Sequence, residues 1–272
     1  MPHRLTDEQY ELCETIPALY QAGFTTPELA KIIGIDPDTV LTRLKRKAIT
    51  RRKGGTKYLF DYECFAEPLN EKKAYWLGFL FADGCIFNRK RIRHPKWSNW
   101  GLILTLGRKD IKHLEKFKKF LRATHPILHL KRPADSITVY LPNTTRKCLL
   151  RLGLVPKKTF ILRTPLGIPA ELMRHFYRGY LDGDGSISKD RRRKTSWEIG
   201  ISGTEAFLTN MGKYFELHPF SVTPYSHKPK TYRLRYCGSR ALAITSLLYK
   251  DATIYLDRKY ALYQQMMKEV QH

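Results

Sequence analysis

The sequence has few cysteines and no long apolar segment, and each shortage excludes a class of protein. Its five cysteines are odd in number and form no C-x-x-C pair, so neither a zinc ribbon nor a complete disulfide framework is indicated. No apolar run reaches the roughly 18 residues of a membrane span, and the N-terminus lacks the regions of a signal peptide. We therefore expect a reducing compartment and no membrane partner.

Acidic residues are also scarce, because 25 Asp and Glu stand against 49 Lys and Arg, which gives a formal charge of +24. Such an excess indicates a polyanionic partner, although a solvated basic surface would carry the same charge. Residues 1–70 are neutral overall, so the rest of the chain supplies the whole excess. Within the neutral part, the basic residues are concentrated in residues 43–57.

One pattern occurs twice, as Ala74-Tyr-Trp-Leu-Gly-Phe-Leu-Phe-Ala-Asp-Gly84 and as Phe176-Tyr-Arg-Gly-Tyr-Leu-Asp-Gly-Asp-Gly185. In each copy two small residues lie four apart, Gly78 with Ala82 and Gly179 with Gly183, so they share one face of a helix. Two helices packed along these faces are predicted, each ending in an aspartate. We expect Gly84 and Gly185 to stop the helices in a left-handed conformation.

The aspartates of the two copies are each followed by a lysine at the same distance. Lys158 follows Asp83 by 75 residues (158 − 83), and Lys259 follows Asp184 by 75 (259 − 184). A carboxylate at a helix C-terminus is disfavoured by the helix dipole, so a positive group is expected beside it. The repeat predicts a pseudo-two-fold domain whose axis runs between the two helices. A buried helix pair with incidental acids is the alternative.

The doubled motif resembles the nine-residue signature of the LAGLIDADG homing endonucleases, specifically the single-chain type with two motif copies. The match lies at the glycine, the small residue and the final Asp-Gly, and the resemblance covers about residues 70–270. The sequence departs from the signature where Phe81 replaces its first acid, which Asp182 keeps, and where Arg178 puts a charge inside the second helix. We expect these departures to affect packing more than chemistry.

The resemblance implies a metal-dependent DNA endonuclease. It implies that Asp83 and Asp184 bind Mg²⁺ or Mn²⁺, with further ligands from the carbonyls of Ala82 and Gly183. The same resemblance puts Lys158 and Lys259 beside the reacting phosphates and gives Arg108 a weaker claim to the active site, with Ser202 or Gly203 as its counterpart. Two active sites, one for each strand, would make a double-strand break. The expected partner is double-stranded DNA, bound by a monomer.

The first 55 residues resemble a helix-turn-helix. A helix is predicted from Asp7 to Gln21, a second one starts with Thr26 as N-cap and Pro27 as N1, and a recognition helix runs from about Pro37 to Lys47. An unrelated helical hairpin is the alternative. We divide the chain into a helix-turn-helix domain (1–55), a linker (56–70) and an endonuclease domain (71–272) with halves 71–165 and 166–272.

The predicted elements make the chain α+β. Each half of the endonuclease domain is predicted to have the order αββαββα, and the resemblance implies two antiparallel sheets that form a saddle around the central helix pair. Alternation in Tyr232-Arg-Leu-Arg-Tyr236 puts Arg233 and Arg235 on a polar face. A polar face of this kind is usually only solvated, but the resemblance implies that it contacts base edges in the major groove.

Basic residues follow both motif copies at matching positions, which suits phosphate contacts on both flanks of a long, asymmetric site. The residues assigned to DNA binding are Arg43, Lys45, Arg46, Lys47, Arg51, Arg52, Arg89, Lys90, Arg91, Arg93, Lys96, Lys189, Arg191, Arg192, Arg193, Lys194, Arg233 and Arg235.

Two other functions on the same scaffold stay open: a DNA-binding regulator that does not cleave, and an RNA-splicing maturase. The regulator is disfavoured because both acids are present. An intein is not expected, because the sequence from Met1 to His272 lacks splicing residues. The expected location is the cytoplasm, at the nucleoid of a prokaryote or a phage-infected cell, with an organelle as the alternative.

Overall fold

The computed structural model describes residues 5–50, 58–67, 69–91, 94–130, 135–141, 143–189, 196–216, 219–225 and 230–270. The chain divides into two compact units, each held together by contacts within itself. The first unit comprises Met1–Asp61 and Leu121–Pro126, and the second comprises Tyr62–Phe120 and Ile127–His272. Residues 62–67, which fall in the predicted linker, belong to the second unit, where Phe65 is buried.

The first unit contains four helices: α1 (Asp7–Glu14), α2 (Ile16–Gln21), α3 (Thr26–Ile33) and α4 (Pro37–Arg46). Apolar side chains from all four, among them Ile16, Leu29 and Val40, form its core. Gly34 ends α3 with φ of +73°, which a glycine adopts without strain, and Asp36 caps α4 by accepting from the Asp38 amide. Three residues, Gly34, Ile35 and Asp36, therefore join α3 to α4.

Two details of this unit differ from the prediction. The single helix predicted from Asp7 to Gln21 is interrupted at Thr15, because Pro17 has no amide hydrogen and its ring excludes the preceding helical turn. The N-cap of α3 is Thr25, one residue before the predicted Thr26. Thr25 forms a capping box with Glu28, whose carboxylate accepts from the Thr25 amide at 2.9 Å.

The second unit repeats one order of elements, as predicted. Its first half contains α5 (Glu71–Asp83), β1 (Gly84–Arg91), β2 (His94–Gly107), α6 (Ile111–Phe120), β3 (Leu128–Leu130), β4 (Ser136–Leu141) and α7 (Asn143–Arg151). Its second half contains α8 (Met173–Asp184), β5 (Gly185–Lys189), β6 (Trp197–Gly203), α9 (Glu205–Tyr214), β7 (Val222–Pro224), β8 (Tyr232–Cys237), α10 (Ser239–Tyr249) and α11 (Asp257–Val270).

The strands form two antiparallel four-stranded sheets with the same topology, β1-β2-β4-β3 and β5-β6-β8-β7. One face of each sheet is apolar, as alternation predicts: Leu104 and Val139 are buried in the first sheet, and Ile201 and Leu234 in the second. The register relates the two sheets, because Leu104 pairs with Gly84 and Ile201 pairs with Gly185.

Helices α5 and α8 pack against each other through their glycines, as the spacing predicts. A Cβ at Gly78 would overlap the carbonyl of Phe176, and a Cβ at Gly179 would overlap the carbonyl of Tyr75. Only glycine allows the two backbones to approach this closely. The two contacts are equivalent under a pseudo-two-fold axis.

The left-handed conformation predicted for Gly84 and Gly185 is wrong. Both residues are extended, with φ of −71° and −96°, because each helix passes directly into the first strand of a sheet. A glycine is needed here for space: a Cβ at either residue would lie 2.5 Å from the carbonyl of Leu80 or Leu181.

The polar contacts described below cross the helix pair on one side of the pseudo-two-fold axis. The Tyr75 hydroxyl donates to Asp182 at 2.7 Å, and Arg178 donates to Glu71 at 2.7 Å. With Gly84 equivalent to Gly185, the residue equivalent to Tyr75 is Phe176 and the residue equivalent to Asp182 is Phe81. The rings of Phe176 and Phe81 meet edge to face at 5.0 Å. Glu71 and Arg178 correspond in the same way to Leu172 and Leu77. The backbone interface is therefore symmetric, and its side chains are not.

Within the residues that the structure describes, no helix has both the length and the apolar character to cross a bilayer.

Candidate active site

Two aspartates end the paired helices side by side, Asp83 on α5 and Asp184 on α8. The Asp83 carboxylate lies over Gly183, where a Cβ would stand 3.2 Å from Oδ2. Burial, together with the charge of Asp184, raises the pKa of Asp83 to about 7. Lys259 and Lys158 act in the opposite direction on the same pKa. The structure therefore brings four of the five residues predicted for the active site, all but Arg108, into one electrostatic cluster.

Both lysines donate to carbonyls where the motif helices end. Lys259 is 2% exposed, and its ammonium donates to Leu181 O at 2.6 Å, Asp182 O at 2.7 Å and Gly185 O at 2.6 Å. Lys158 donates to the carbonyl of Ala82. The last carbonyls of a helix carry the negative end of its dipole, so a helix C-terminus attracts cations. Burial lowers the pKa of Lys259 to about 8 and lowers that of Lys158.

Asp182, the first acid of the second motif, lies fully buried behind the cluster. Its carboxylate accepts from the hydroxyls of Tyr75 at 2.7 Å and Tyr249 at 2.5 Å, and from the Leu256 amide at 2.8 Å. Burial raises the pKa of Asp182, and Lys259 and the three donors oppose that rise. Because Leu256 lies just before α11, Asp182 fixes the start of the helix that carries Lys259.

Arg108 lies in a short 3-10 helix after β2 and is exposed. Its guanidinium lies 3.5 Å from Asp135 and 3.4 Å from a ring nitrogen of His129. The sheet register gives its counterpart as Glu205, four residues beyond Ile201, rather than Ser202 or Gly203. The pairing with Asp135 holds Arg108 at the end of the first sheet.

A bidentate ion pair joins the two halves next to the cluster. The Arg258 guanidinium donates to both carboxylate oxygens of Asp110, at 2.9 and 3.2 Å. Arg258 precedes Lys259, and Asp110 closes the 3-10 helix of Arg108. Paired donors of this kind fix orientation as well as distance.

The donor set at the helix ends consists of oxygen atoms. Two carboxylates, Asp83 and Asp184, lie beside the carbonyls of Ala82 and Gly183, which Lys158 and Lys259 contact, the latter at 3.4 Å. Hard oxygen ligands of this kind suit Mg²⁺, which keeps several waters and is held by one or two carboxylates. Among the described residues, no group of three or more His, Cys, Asp or Glu side chains could hold a metal ion. A cation here would therefore need ligands from water or substrate.

The second sheet presents Arg233 and Arg235 on its polar face, as predicted. Both guanidiniums donate to Glu198 on the neighbouring strand, at 3.2 and 2.5 Å. Lys189, at the end of β5, pairs with Glu269 at 2.9 Å and lies over the Trp197 ring.

The remaining residues assigned to DNA binding lie in both units. In the first unit Lys45, Arg46 and Lys47 are exposed, while Arg43 lies over the Tyr10 ring. The strands that follow each motif helix pair with each other, β1 with β2 and β5 with β6, and they place Arg89, Lys90 and Arg91 in β1 and Lys96 in β2. Outside the described residues lie Arg51, Arg52, Arg93, Arg191, Arg192, Arg193 and Lys194.

Several residues of the site were not predicted, namely Tyr75, Asp110, Glu198, Tyr249 and Arg258. Only Glu198 left a signal in the sequence, because alternation along β6 places it on the same polar face as Arg233 and Arg235. The others meet partners far along the chain, and no local pattern marks them.

The doubled αββαββα order, with the acids at the ends of a glycine-packed helix pair, is the LAGLIDADG fold. Meganuclease I-AabMI bound to uncleaved DNA superimposes with a TM-score of 0.50 at 15% identity, over 74% of this chain and 92% of its own. Meganuclease I-SmaMI bound to uncleaveable DNA superimposes with a TM-score of 0.51 at 15% identity, over 74% of this chain and 88% of its own. No protein-family model and no curated protein matches the sequence. The resemblance is confirmed as a likeness of fold.

Proposed function

We propose that this protein is a site-specific endonuclease that makes metal-dependent double-strand breaks in a long, asymmetric DNA target. The observation that carries the proposal is the cluster of Asp83, Asp184, Lys158 and Lys259, two acids and two lysines from pseudo-symmetric halves. The solved structures with this fold include meganucleases bound to DNA, which supports the choice of substrate.

In this proposal Asp83 and Asp184 hold divalent cations, Mg²⁺ or Mn²⁺, with the carbonyls of Ala82 and Gly183. Such a cation activates water and neutralises charge in phosphodiester hydrolysis. Burial, and after it the repulsion of Asp184 at the neighbouring helix end, raises the pKa of Asp83, so an ionised pair of carboxylates is costly here. A bound cation would remove that cost, so the residues fit the metal.

Lys158 and Lys259 supply positive charge at the same place. Each contacts the last turn of its own motif helix, so each serves one half and one DNA strand. Their role is to stabilise charge that develops on the reacting phosphate, or to polarise the water. Arg108 would stabilise charge on one strand only, because its counterpart is Glu205.

The basic residues of α4 and of the two β-hairpins would contact phosphates, and the helix-turn-helix would lengthen the footprint. We propose that the protein acts as a monomer, since one chain carries both motif copies, and that it works where DNA and divalent cations are available, in a cytoplasm or an organelle.

The test is to incubate the purified protein with randomised duplex DNA and Mg²⁺ and to sequence the ends. We expect one long consensus with a break in each strand, and no breaks in EDTA or with Asp83→Asn. Enrichment of bound duplex without cleavage would indicate the regulator instead. Binding that is restricted to structured RNA would indicate the maturase.

A further inference from the structure

Among the described strand residues of the second sheet, a single acid, Glu198, lies on the polar face, between two arginines. The Glu198 side chain is 10% exposed, whereas those of Arg233 and Arg235 are 34% and 51% exposed. Its two oxygens accept from different arginines, Oε1 from Arg233 at 3.2 Å and Oε2 from Arg235 at 2.5 Å. One carboxylate thus fixes two guanidiniums and cancels the charge of one.

Neither arginine lies directly opposite Glu198 in the sheet, so each side chain must extend along the strand to reach it. In the ladder Arg233 pairs with Ser202 and Arg235 pairs with Gly200, yet both side chains reach along β6 towards Glu198. The Arg233 guanidinium lies across Gly200, where a Cβ would overlap its nitrogens. Gly200 therefore leaves the space in which Arg233 meets Glu198.

At the matching positions of the first sheet, all of them described, the residues differ. Matching the registers puts Gly101 at the place of Glu198 and Ile103 at the place of Gly200. Thr138 and Tyr140 take the places of Arg233 and Arg235. The three charged residues thus belong to the second half alone, although the backbone of both sheets is the same.

We propose that Glu198 is a specificity-determining residue, which positions Arg233 and Arg235 so that the second half of the DNA target is read through guanine. This inference rests on the proposed function. A free arginine reaches any nearby phosphate and binds without regard to sequence. An arginine held by a carboxylate presents its remaining donors in one direction, and the pair of acceptors that fits them in the major groove is O6 and N7 of guanine.

The experiment measures binding of the full-length protein, in EDTA so that nothing is cut, to its mapped target and to all single-base-pair variants of the half-site facing the second sheet. Wild-type protein should prefer guanine about tenfold or more at one or two positions. Glu198→Gln should reduce that preference to less than about threefold, bind unrelated duplex more tightly, and steepen the salt dependence by about one phosphate contact.

Two sets of variants separate positioning from charge. Arg233→Lys and Arg235→Lys keep the charge but lose the planar donors, so they should lose preference at the same base pairs as Glu198→Gln. Glu171→Gln, at an exposed acid of the same half, removes an equal charge and should leave the base preference unchanged.

The outcomes distinguish this inference from the proposed function. Wild-type protein that binds no duplex selectively would overturn the proposed function and the inference with it. A selective wild type whose guanine preference survives in Glu198→Gln, or falls equally in Glu171→Gln, overturns the inference alone. If Glu198→Gln does not give the wild-type circular dichroism spectrum, the lysine variants decide: unchanged guanine preference in both overturns it.

Discussion

Replacing Lys259 with methionine should slow the cleavage of one DNA strand and remove one component of the pH dependence of stability. Lys259 is buried, donates to four carbonyls at the end of α8 and the start of β5, and lies in the same cluster as both acids. Methionine has a similar volume and no charge, so it tests the ammonium rather than the packing.

The expected change in stability reflects two opposing effects. The difference between the ordinary pKa of 10.5 and the pKa of about 8 means that burial of the charge costs about 3 kcal/mol at neutral pH. Methionine removes this cost, but the carbonyls lose the three N–H donors of the ammonium, which costs about 3 kcal/mol together. The free energy of unfolding should therefore change by no more than about 1–2 kcal/mol at pH 7.

The difference in stability between wild type and Lys259→Met changes with pH in a defined direction. Because the pKa of Lys259 is lower in the folded protein, the unfolded chain binds more protons between pH 8 and 10.5, and wild-type stability gains a component that rises across this window. Lys259→Met lacks that component, so its stability relative to wild type should fall by about 2–3 kcal/mol between pH 7 and pH 10. Urea denaturation at pH 7 and pH 10 measures both values, with the exposed Lys268→Met on the same helix as the control.

Cleavage is followed on supercoiled plasmid that carries the mapped target. Loss of one preorganised charge should slow one strand about 100-fold, so nicked circles should accumulate before linear product. Lys158→Met should do the same for the opposite strand, and the double variant should be nearly inactive. Equal rates on both strands, with no excess of nicked intermediate in either single variant, would refute the assignment of one lysine to each strand.

Three further predictions concern other parts of the molecule. Asp83→Asn or Asp184→Asn should abolish double-strand cleavage, because a metal ligand is lost. The DNA dissociation constant should stay near wild type, because the basic surface is kept. A tenfold weaker affinity in a filter-binding assay would count against the metal-ligand role. Deleting residues 1–55 should shorten the protected footprint at one end and weaken binding, with cleavage retained at high protein concentration. An unchanged footprint would mean that these residues do not contact DNA. Gly179→Ala should destabilise the protein by about 2–3 kcal/mol, because the added methyl group overlaps the Tyr75 carbonyl. As the control, Gly107→Ala should melt like wild type, because its Cβ would meet nothing closer than 3.9 Å.

The parts of the fold that depend on local spacing could be predicted from the sequence. Small residues four apart gave the contact between α5 and α8, and alternation gave the buried faces of both sheets. Helix ends that depend on the next element of the chain, or on a single proline, were missed. Gly84 and Gly185 are extended because a strand begins directly after each helix, and Pro17 splits a pattern that otherwise continues through Thr15.

The site could be predicted only in part, because its supporting residues act over long separations. Matched spacing identified the four residues of the cluster. Nothing in the sequence near Asp182 shows that Tyr75 and Tyr249 donate to it, since these partners are 107 and 67 residues away. Arg178, a charge inside an apolar pattern, is satisfied by Glu71, by the carbonyls of Leu248 and Ile254, and by a nitrogen of His175.

The unequal side chains across the helix pair determine which partner each half accepts. Two copies of the second half would put Asp182 against Phe176 and Arg178 against Leu172, and an unpaired buried charge costs several kcal/mol. Two copies of the first half would put Tyr75 against Phe81 and leave Glu71 without its arginine. If the chain were cut between its halves and both pieces were made in one cell, the pieces should assemble as mixed pairs, and neither should form a homodimer.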